Sequence, residues 1–343
     1  MKMSIRPKTS SDGSERLILL TGASGYVGSR LLRALEAEGH RVRCAGRRPE
    51  AIASRAQKTT VVRADVLDRE SIDAAMRGVD TAYYLVHSMN SERSFESADR
   101  EGARNFAEAA RAAGVRRIIY LGGLGSSSRS LSPHLRSRHE VGELLRASST
   151  QVIEFRASAI IGGGSLSFEM VRALAERLLL MIMPRWVTMQ AQPISINDAI
   201  RYLVAALDLS TTASCVFEIG GAERVSYAGI IREYAQQRGL KRAMIRVPVL
   251  TPRLSSWWLK LVTPLQARVG RELVESVRHA TVVSNDLALR MFSIRPAGIQ
   301  KAVADALRDE DFEFSATRWS HALSAAPSNS PWGGVRIGNR LIV

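Results

Sequence analysis

Lysine is nearly missing from this basic chain. Six lysines are present, yet Lys and Arg together number 48 against 33 Asp and Glu, so arginine carries almost all of a net charge of +15. The arginines are scattered, at Arg41, Arg43, Arg116, Arg117, Arg136, Arg253 and elsewhere. No basic recognition helix or RNA-binding aromatic motif accompanies them, so nucleic acid is not an expected partner. The charge reads instead as solubility plus attraction for an anionic small molecule. Cysteine is also scarce. Cys44 and Cys215 are the two, and neither neighbours a second Cys or a metal-spaced His. That excludes a disulfide framework and a zinc motif, and leaves two small buried hydrophobes. Long apolar runs are missing too. A membrane span needs roughly 18–20 such residues, and Leu178–Met183 is much shorter. The first 15 residues are polar, basic and Ser-rich, unlike a secretory signal. The cytoplasm is therefore the default location.

What the chain does have is concentrated at Leu17–Ser29, LILLTGASGYVGS. Four apolar residues, Leu17 to Leu20, read as a buried parallel strand. Gly22, Gly25 and Gly28 follow at three-residue spacing. An amphipathic helix then begins, with Val27, Leu31, Leu32 and Leu35 on one face. Strand, glycine turn and helix in that order form a dinucleotide-binding βα unit. Gly22 serves the tight turn, Gly25 the close approach of a pyrophosphate, and Gly28 the packing of helix on sheet. Ser24, Tyr26 and Val27 lie in the turn and first helical residues, where free N–H groups and the positive dipole end meet phosphate.

Strand and helix patterns alternate from residue 16 to about 160. Strands are expected near 17–21, 41–45, 60–64, 81–86, 117–121 and 151–156. Helices are expected near 26–38, 70–77, 95–113, 136–147 and 167–180. This alternation predicts an α/β fold: a Rossmann-like, doubly wound parallel sheet with a small C-terminal lobe. The expected organisation is a basic arm at 1–15 and a nucleotide-binding core at 16–160. Residues 161–323 supply the rest of the fold with a small substrate lobe, and 324–343 form a tail. Asp68 is well placed to cap a short helix. Further helices are expected at 197–207, 226–237, 272–279 and 298–308, and a strand at 215–219.

The second strand ends Cys44-Ala45-Gly46-Arg47-Arg48. An acid at that point would favour NAD by accepting from the ribose 2′-OH. Two arginines stand there instead, and guanidinium matches a 2′-phosphate bidentately. NADP(H) is therefore preferred over NAD(H); the plain alternative is two solvated surface charges. Asp65 could accept from the adenine amino group with Val66 over the ring, or simply hold a turn. In a doubly wound sheet, ligands lie outside the carboxyl ends of the strands. Leu85, Val86 and His87 after the fourth strand, and Gly122 and Gly123 after the fifth, should line the nicotinamide end. No metal is expected.

These residues resemble the short-chain dehydrogenase/reductase superfamily. The glycine spacing is similar to that of its extended and atypical branches, which include NmrA-like and epimerase-like members. So are Ala64–Asp68, the pair Arg156-Ala157 and Ile196-Asn197-Asp198. The runs 83–89, 116–125 and 133–140 resemble a narrower, little-characterised bacterial group. The resemblance covers roughly residues 16–320. Such proteins often continue into a further C-terminal domain, so the tail is expected either to end a short form or to begin that missing domain. The resemblance implies an NAD(P) site and a Tyr-x-x-x-Lys pair on the helix after the fifth strand. This chain departs from the pattern. Leu135 falls at the Tyr position, His139 at the Lys position, and the usual Ser on Gly122 or Gly123.

Catalysis would then need another proton source. His87, His134 and His139 are the leading candidates, since imidazole titrates near neutrality; Tyr84, Ser88 and Ser126 are others. His139 could instead grip the ribose. For any single histidine the plain alternative is a packing or surface residue. On the substrate side, Leu178–Met183 and Trp257–Val262 are apolar. Most of these are expected to be core, with one or two lining a pocket. Trp257 and Trp258 could alternatively rest on a membrane surface. Ser165–Glu169 could reach the crevice mouth. The function expected is an NADP(H)-dependent oxidoreductase acting on a small apolar carbonyl or unsaturated substrate. The alternative is a non-catalytic NADP(H)-binding sensor, regulator or assembly factor with a protein partner.

Overall fold

The computed structural model describes residues 16–53, 56–87, 95–125, 131–148, 150–183, 185–246, 280–311, 335–337 and 340–342. The apolar run after Arg16 forms β1 (Leu17–Thr21), and the glycine turn leads into α1 (Tyr26–Ala37). There follow β2 (Arg41–Gly46), α2 (Pro49–Ala53), β3 (Thr60–Arg63), α3 (Arg69–Met76) and β4 (Thr81–Tyr84). The chain continues through α4 (Phe95–Ala112), β5 (Arg117–Gly123), α5 (Pro133–Arg146) and β6 (Gln151–Ala157). Beyond these lie β7 (Ile160–Ile161), α6 (Leu166–Arg177), β8 (Leu180–Met183), β9 (Gln190–Ala191) and β10 (Ile194–Ser195). Then come α7 (Ile196–Ala205), β11 (Cys215–Ile219), β12 (Val225–Ser226), α8 (Tyr227–Gln237) and β13 (Ala243–Arg246). Helices α9 (Leu287–Met291) and α10 (Ile299–Asp311) and an antiparallel pair, Val335–Ile337 with Arg340–Ile342, complete the described elements.

Seven strands form one sheet in the order β11-β6-β5-β4-β1-β2-β3. Every neighbouring pair is parallel. The chain winds outward from β1 through β2 to β3, then returns to β4 on the other side of β1. The crevice at that reversal, outside the carboxyl ends of β1 and β4, is where a ligand lies in such a sheet. The strands alternate strictly. Ile18, Leu20, Tyr83, Ile119, Leu121, Ile153 and Phe155 pack under α1 and α7 on one face. Leu19, Ala82, Tyr84, Ile118, Tyr120 and Val152 pack under α3, α4 and α5 on the other. Burial on both faces is what makes these strands read as near-continuous apolar runs.

Two expected boundaries move. The helix expected at 167–180 ends at Arg177. Leu178 takes extended backbone, and Leu180–Met183 pair in parallel with Ala243–Arg246. A leucine-rich run with good helix propensity is overridden by a strand some sixty residues away, which no local pattern can announce. The helix expected at 136–147 starts at Pro133, because Ser132 caps it by accepting from the Leu135 N–H at 3.3 Å and proline suits the first turn. Asp68 caps α3 as expected, accepting from the Ser71 N–H. Helices α6, α8 and α10 bury a second core, with Phe168, Leu174, Ile230, Tyr234 and Val303 inside. Among the described residues no helix is long and apolar enough to cross a membrane. Ser88, Ser126, Trp257, Trp258 and the helix expected at 272–279 lie outside the described residues.

Candidate functional site

The glycine turn is built so that side chains cannot enter it. Gly22 has φ +73°, and a Cβ there would stand 2.5 Å from the Leu85 carbonyl oxygen. A Cβ on Gly28 would stand 2.1 Å from the Gly22 carbonyl oxygen. These two glycines therefore bring β1, α1 and the end of β4 into backbone contact. A Cβ on Gly25 would meet only the Gly22 oxygen, at 3.2 Å, and otherwise opens outward. The Gly25 N–H donates to Gly22 at 2.9 Å, and the first turn of α1 carries no acid to cancel its positive end. A cradle that a Cβ would fill, at an unneutralised helix N-terminus, fits a dinucleotide pyrophosphate.

The other expected cofactor residues have different surroundings. Ser24 and Val27 are half-buried, and Val27 packs on the core beneath α1. The Tyr26 ring lies under the Arg30 guanidinium, 3.9 Å from its carbon, and against the Gly162 backbone. It therefore ties α1 to the segment before α6. Arg47 and Arg48 are exposed directly after β2. The Asp65 carboxylate accepts from the Leu67 N–H at 3.1 Å, so it holds its turn, and Val66 is buried against Gly102. Leu85 and Val86 are half-buried, Leu85 beside Gly22 and Val86 against the core on the other face of the sheet.

At the carboxyl end of β4 the structure joins two of the three candidate histidines. His87 Nδ1 lies 3.0 Å from Asp99 Oδ2, and His87 Nε2 lies 3.1 Å from His134 Nδ1. The Ser137 hydroxyl donates to the same Asp99 oxygen at 3.0 Å. Four residues from the end of β4, from α4 and from the first turns of α5 thus form one hydrogen-bonded line. Asp99 is 3% exposed, on the apolar stripe of α4 with Ala98, Gly102, Ala103 and Phe106. A carboxylate buried there is tolerated because charge-assisted hydrogen bonds replace its water. Burial pushes both imidazoles below the usual histidine range, His134 well below. Arg138 adds to this on both rings, while Asp99 opposes it.

His139 is not part of that line. It is buried, and its Nε2 lies 3.0 Å from the Gly123 carbonyl oxygen, so it donates there as a neutral ring and ties α5 to the end of β5. Burial lowers its pKa as well. Tyr84 is core: it packs edge-on against Phe106 at 4.8 Å, and burial raises its hydroxyl well above the usual value. Gly122 and Gly123 end β5 beside Arg156 and Ala157 of β6, with the Leu135 side chain against Gly123. Leu135, where the resemblance implies a tyrosine, is thus packing.

Sequence reasoning missed Asp99, Ser137 and Glu154. Asp99 left one signal, an acid at an apolar position of α4's helical period. Ser137 left none. Glu154 is fully buried on β6 and paired with both Arg146 and Arg156. Gly142 makes room for it, since a Cβ there would lie 2.5 Å from Glu154 Oε2. Among the described residues no group of His, Cys, Asp and Glu is arranged to hold a metal ion.

Comparison with known proteins agrees with this geometry. Residues 22–161 match a family of NAD(P)H-binding domains. A ceramide reductase of Caulobacter vibrioides is 29% identical over 238 residues, 68% of this chain and 74% of that protein. A photosystem II assembly factor, Ycf39 of Cyanophora paradoxa, is 24% identical over 68% of this chain and 72% of its own. Several other curated relatives are matched over less than half of their own length. An NADPH-dependent quinone oxidoreductase of Escherichia coli, solved with NADPH, superposes with a TM-score of 0.68 at 20% identity, covering 84% of this chain and 98% of that one. With the glycine cradle and the sheet order in agreement, residues 22–161 are similar to NAD(P)H-binding domains, and the fold is the Rossmann-like one of the quinone oxidoreductase.

Proposed function

We propose that this protein is an NADP(H)-dependent oxidoreductase that interconverts a carbonyl and a hydroxyl group on an apolar substrate, with His134 moving the proton. The observation that carries the reading is the line from Asp99 through His87 to His134, set at the carboxyl end of β4 two residues from the carbonyl that touches Gly22. The backbone of Gly22–Ser29 would hold the pyrophosphate, and Arg47 and Arg48 the 2′-phosphate that distinguishes NADP(H). The nicotinamide, when bound, supplies or takes the hydride. His134 does the rest of the bookkeeping: in the reducing direction it gives one proton to the carbonyl oxygen and is left neutral, and in the oxidising direction it takes that proton back. His139 holds the end of β5. The relative named for ceramide supports a lipid-like carbonyl compound.

The lowered pKa of His134 sets the sign of the pH dependence. The donor form is populated on the acid side, so reduction should accelerate as pH falls toward that pKa. The base form dominates at neutrality, so hydroxyl oxidation should level off there. The test is NADPH oxidation with a panel of carbonyl compounds, in the native protein and in His134→Phe. A second reading is favoured by the likeness to an assembly factor and by the absent Tyr-x-x-x-Lys: a sensor in which bound NADP(H) sets affinity for a protein partner. Tight NADPH binding that alters a pull-down profile, with no turnover across the panel, selects it.

A further inference from the structure

We infer that Asp99 and Ser137 are positioning residues which fix the tautomers of both imidazoles, so that Nε2 of His134 is the one ring atom left to exchange a proton with substrate. The assignment follows from donors and acceptors alone. A carboxylate only accepts, so His87 must donate from Nδ1, 3.0 Å from Asp99 Oδ2. The neutral His87 ring then presents a lone pair at Nε2. His134 Nδ1, 3.1 Å away, must be the donor to it. The neutral His134 ring is left with its lone pair on Nε2. Ser137 donates its single hydroxyl proton to the same Asp99 oxygen at 3.0 Å, and that second contact holds the carboxylate in place. The rings meet edge to face, with centroids 4.7 Å apart.

The arrangement also says where charge goes. When Nε2 of His134 takes a proton, its Nδ1 proton can pass to His87 Nε2, and the His87 Nδ1 proton moves toward Asp99. No bond to carbon changes in that transfer, and the positive charge migrates inward to the buried carboxylate. Among the described residues, the charged and polar groups acting on the pair are Asp99 from α4 and Ser137 and Arg138 from α5. Arg138 opposes protonation and Asp99 favours it. Without Asp99, His87 could turn either nitrogen toward His134, and the active atom would no longer be unique.

The catalytic consequence rests on the oxidoreductase reading; the tautomers do not, so they can be read apart from turnover. Long-range 1H–15N NMR of the full chain with labelled histidine, without cofactor, should show His134 protonated at Nδ1 and bare at Nε2. In Asp99→Asn both rings should become tautomer mixtures, kcat should fall about 10²-fold or more with the NADPH Kd nearly unchanged, and the pH profile should shift. Ser137→Ala should give a smaller fall of the same kind, and it serves if Asp99→Asn does not fold. A proton on Nε2 of His134 in the native protein overturns the inference, as does an unchanged tautomer pattern and pH profile in Asp99→Asn. The expected tautomers in a protein that turns over no carbonyl compound would overturn the oxidoreductase reading and uphold the assignment.

Discussion

The two halves of the crevice are made in opposite ways. The cofactor cradle is local: Gly22, Gly25 and Gly28 lie within seven residues, and they work by having no side chains. The hydrogen-bonded line is distributed: His87, Asp99, His134 and Ser137 come from the end of one strand and two separate helices, and they meet entirely through side chains. A local backbone device tolerates almost any surroundings that keep its strand and helix. A distributed side-chain device depends on the packing of α4 against α5, and can be rebuilt with other residues on the same scaffold. That contrast fits a chain that has the glycine cradle and lacks the tyrosine and lysine that its resemblance implies.

The comparison breaks most sharply at His134. His134→Phe should lower kcat about 10²–10⁴-fold, the usual worth of a general acid or base, while NADPH binding measured by calorimetry stays nearly constant. Equal losses in both quantities would mean that the line and the cradle are one device. The converse variant is Gly22→Val, which puts a β-branched side chain at φ +73° and against the Leu85 carbonyl. It should abolish measurable NADPH binding in a protein that circular dichroism still shows to be folded.

Glu154 tests the scaffold beneath both. Removing a buried carboxylate and leaving Arg146 and Arg156 facing each other should cost roughly 3–5 kcal/mol of stability, measured by chemical denaturation of Glu154→Ala. A smaller effect sharpens the cradle. Arg47→Ala with Arg48→Ala should cut the preference for NADPH over NADH by at least about 10-fold, from one or two charge-assisted contacts. An unchanged preference would show that the arginines are only surface charge.

The smallest effect is on stability against pH. His87, His134 and His139 all have pKa values held below the usual range by burial. The unfolded chain, with histidine near about 6.5, therefore binds more protons than the folded one below that pH. Stability should be fully present above about 6.5 and should fall as the pH drops from there toward the lowered folded values. A Tm series over that range should slope downward on the acid side, and His139→Gln should flatten part of it without touching kcat.

Much of the scaffold is legible in the sequence. The glycine turn, the first six strands and the Asp68 cap follow from periodicity and short-range chemistry, because the groups that decide them are neighbours in the chain. The β8–β13 pair was not legible, since its two strands lie far apart in sequence and the first sits in a helix-favouring leucine run. Within the site, the residue types at 87 and 134 marked them as candidates, but nothing local separated them from His139. His87 follows β4 while the other two lie on α5, and only the packing of α4 and α5 puts His87 on a carboxylate, His134 on His87 and His139 on a backbone carbonyl.

By itself, then, the sequence determined an alternating parallel sheet, a glycine turn at Gly22–Gly28 between strand and helix, and the absence of the tyrosine and lysine that its resemblance implies. Those depend on spacing along the chain, and spacing is written in the sequence. Tertiary structure alone decided that Asp99 would be buried, that Ser137 and His87 would converge on one of its oxygens, and that His134 would stand at the end of the line. A hydrogen bond is made or lost within about an ångström, and only the packing of separate helices against the sheet sets distances that fine.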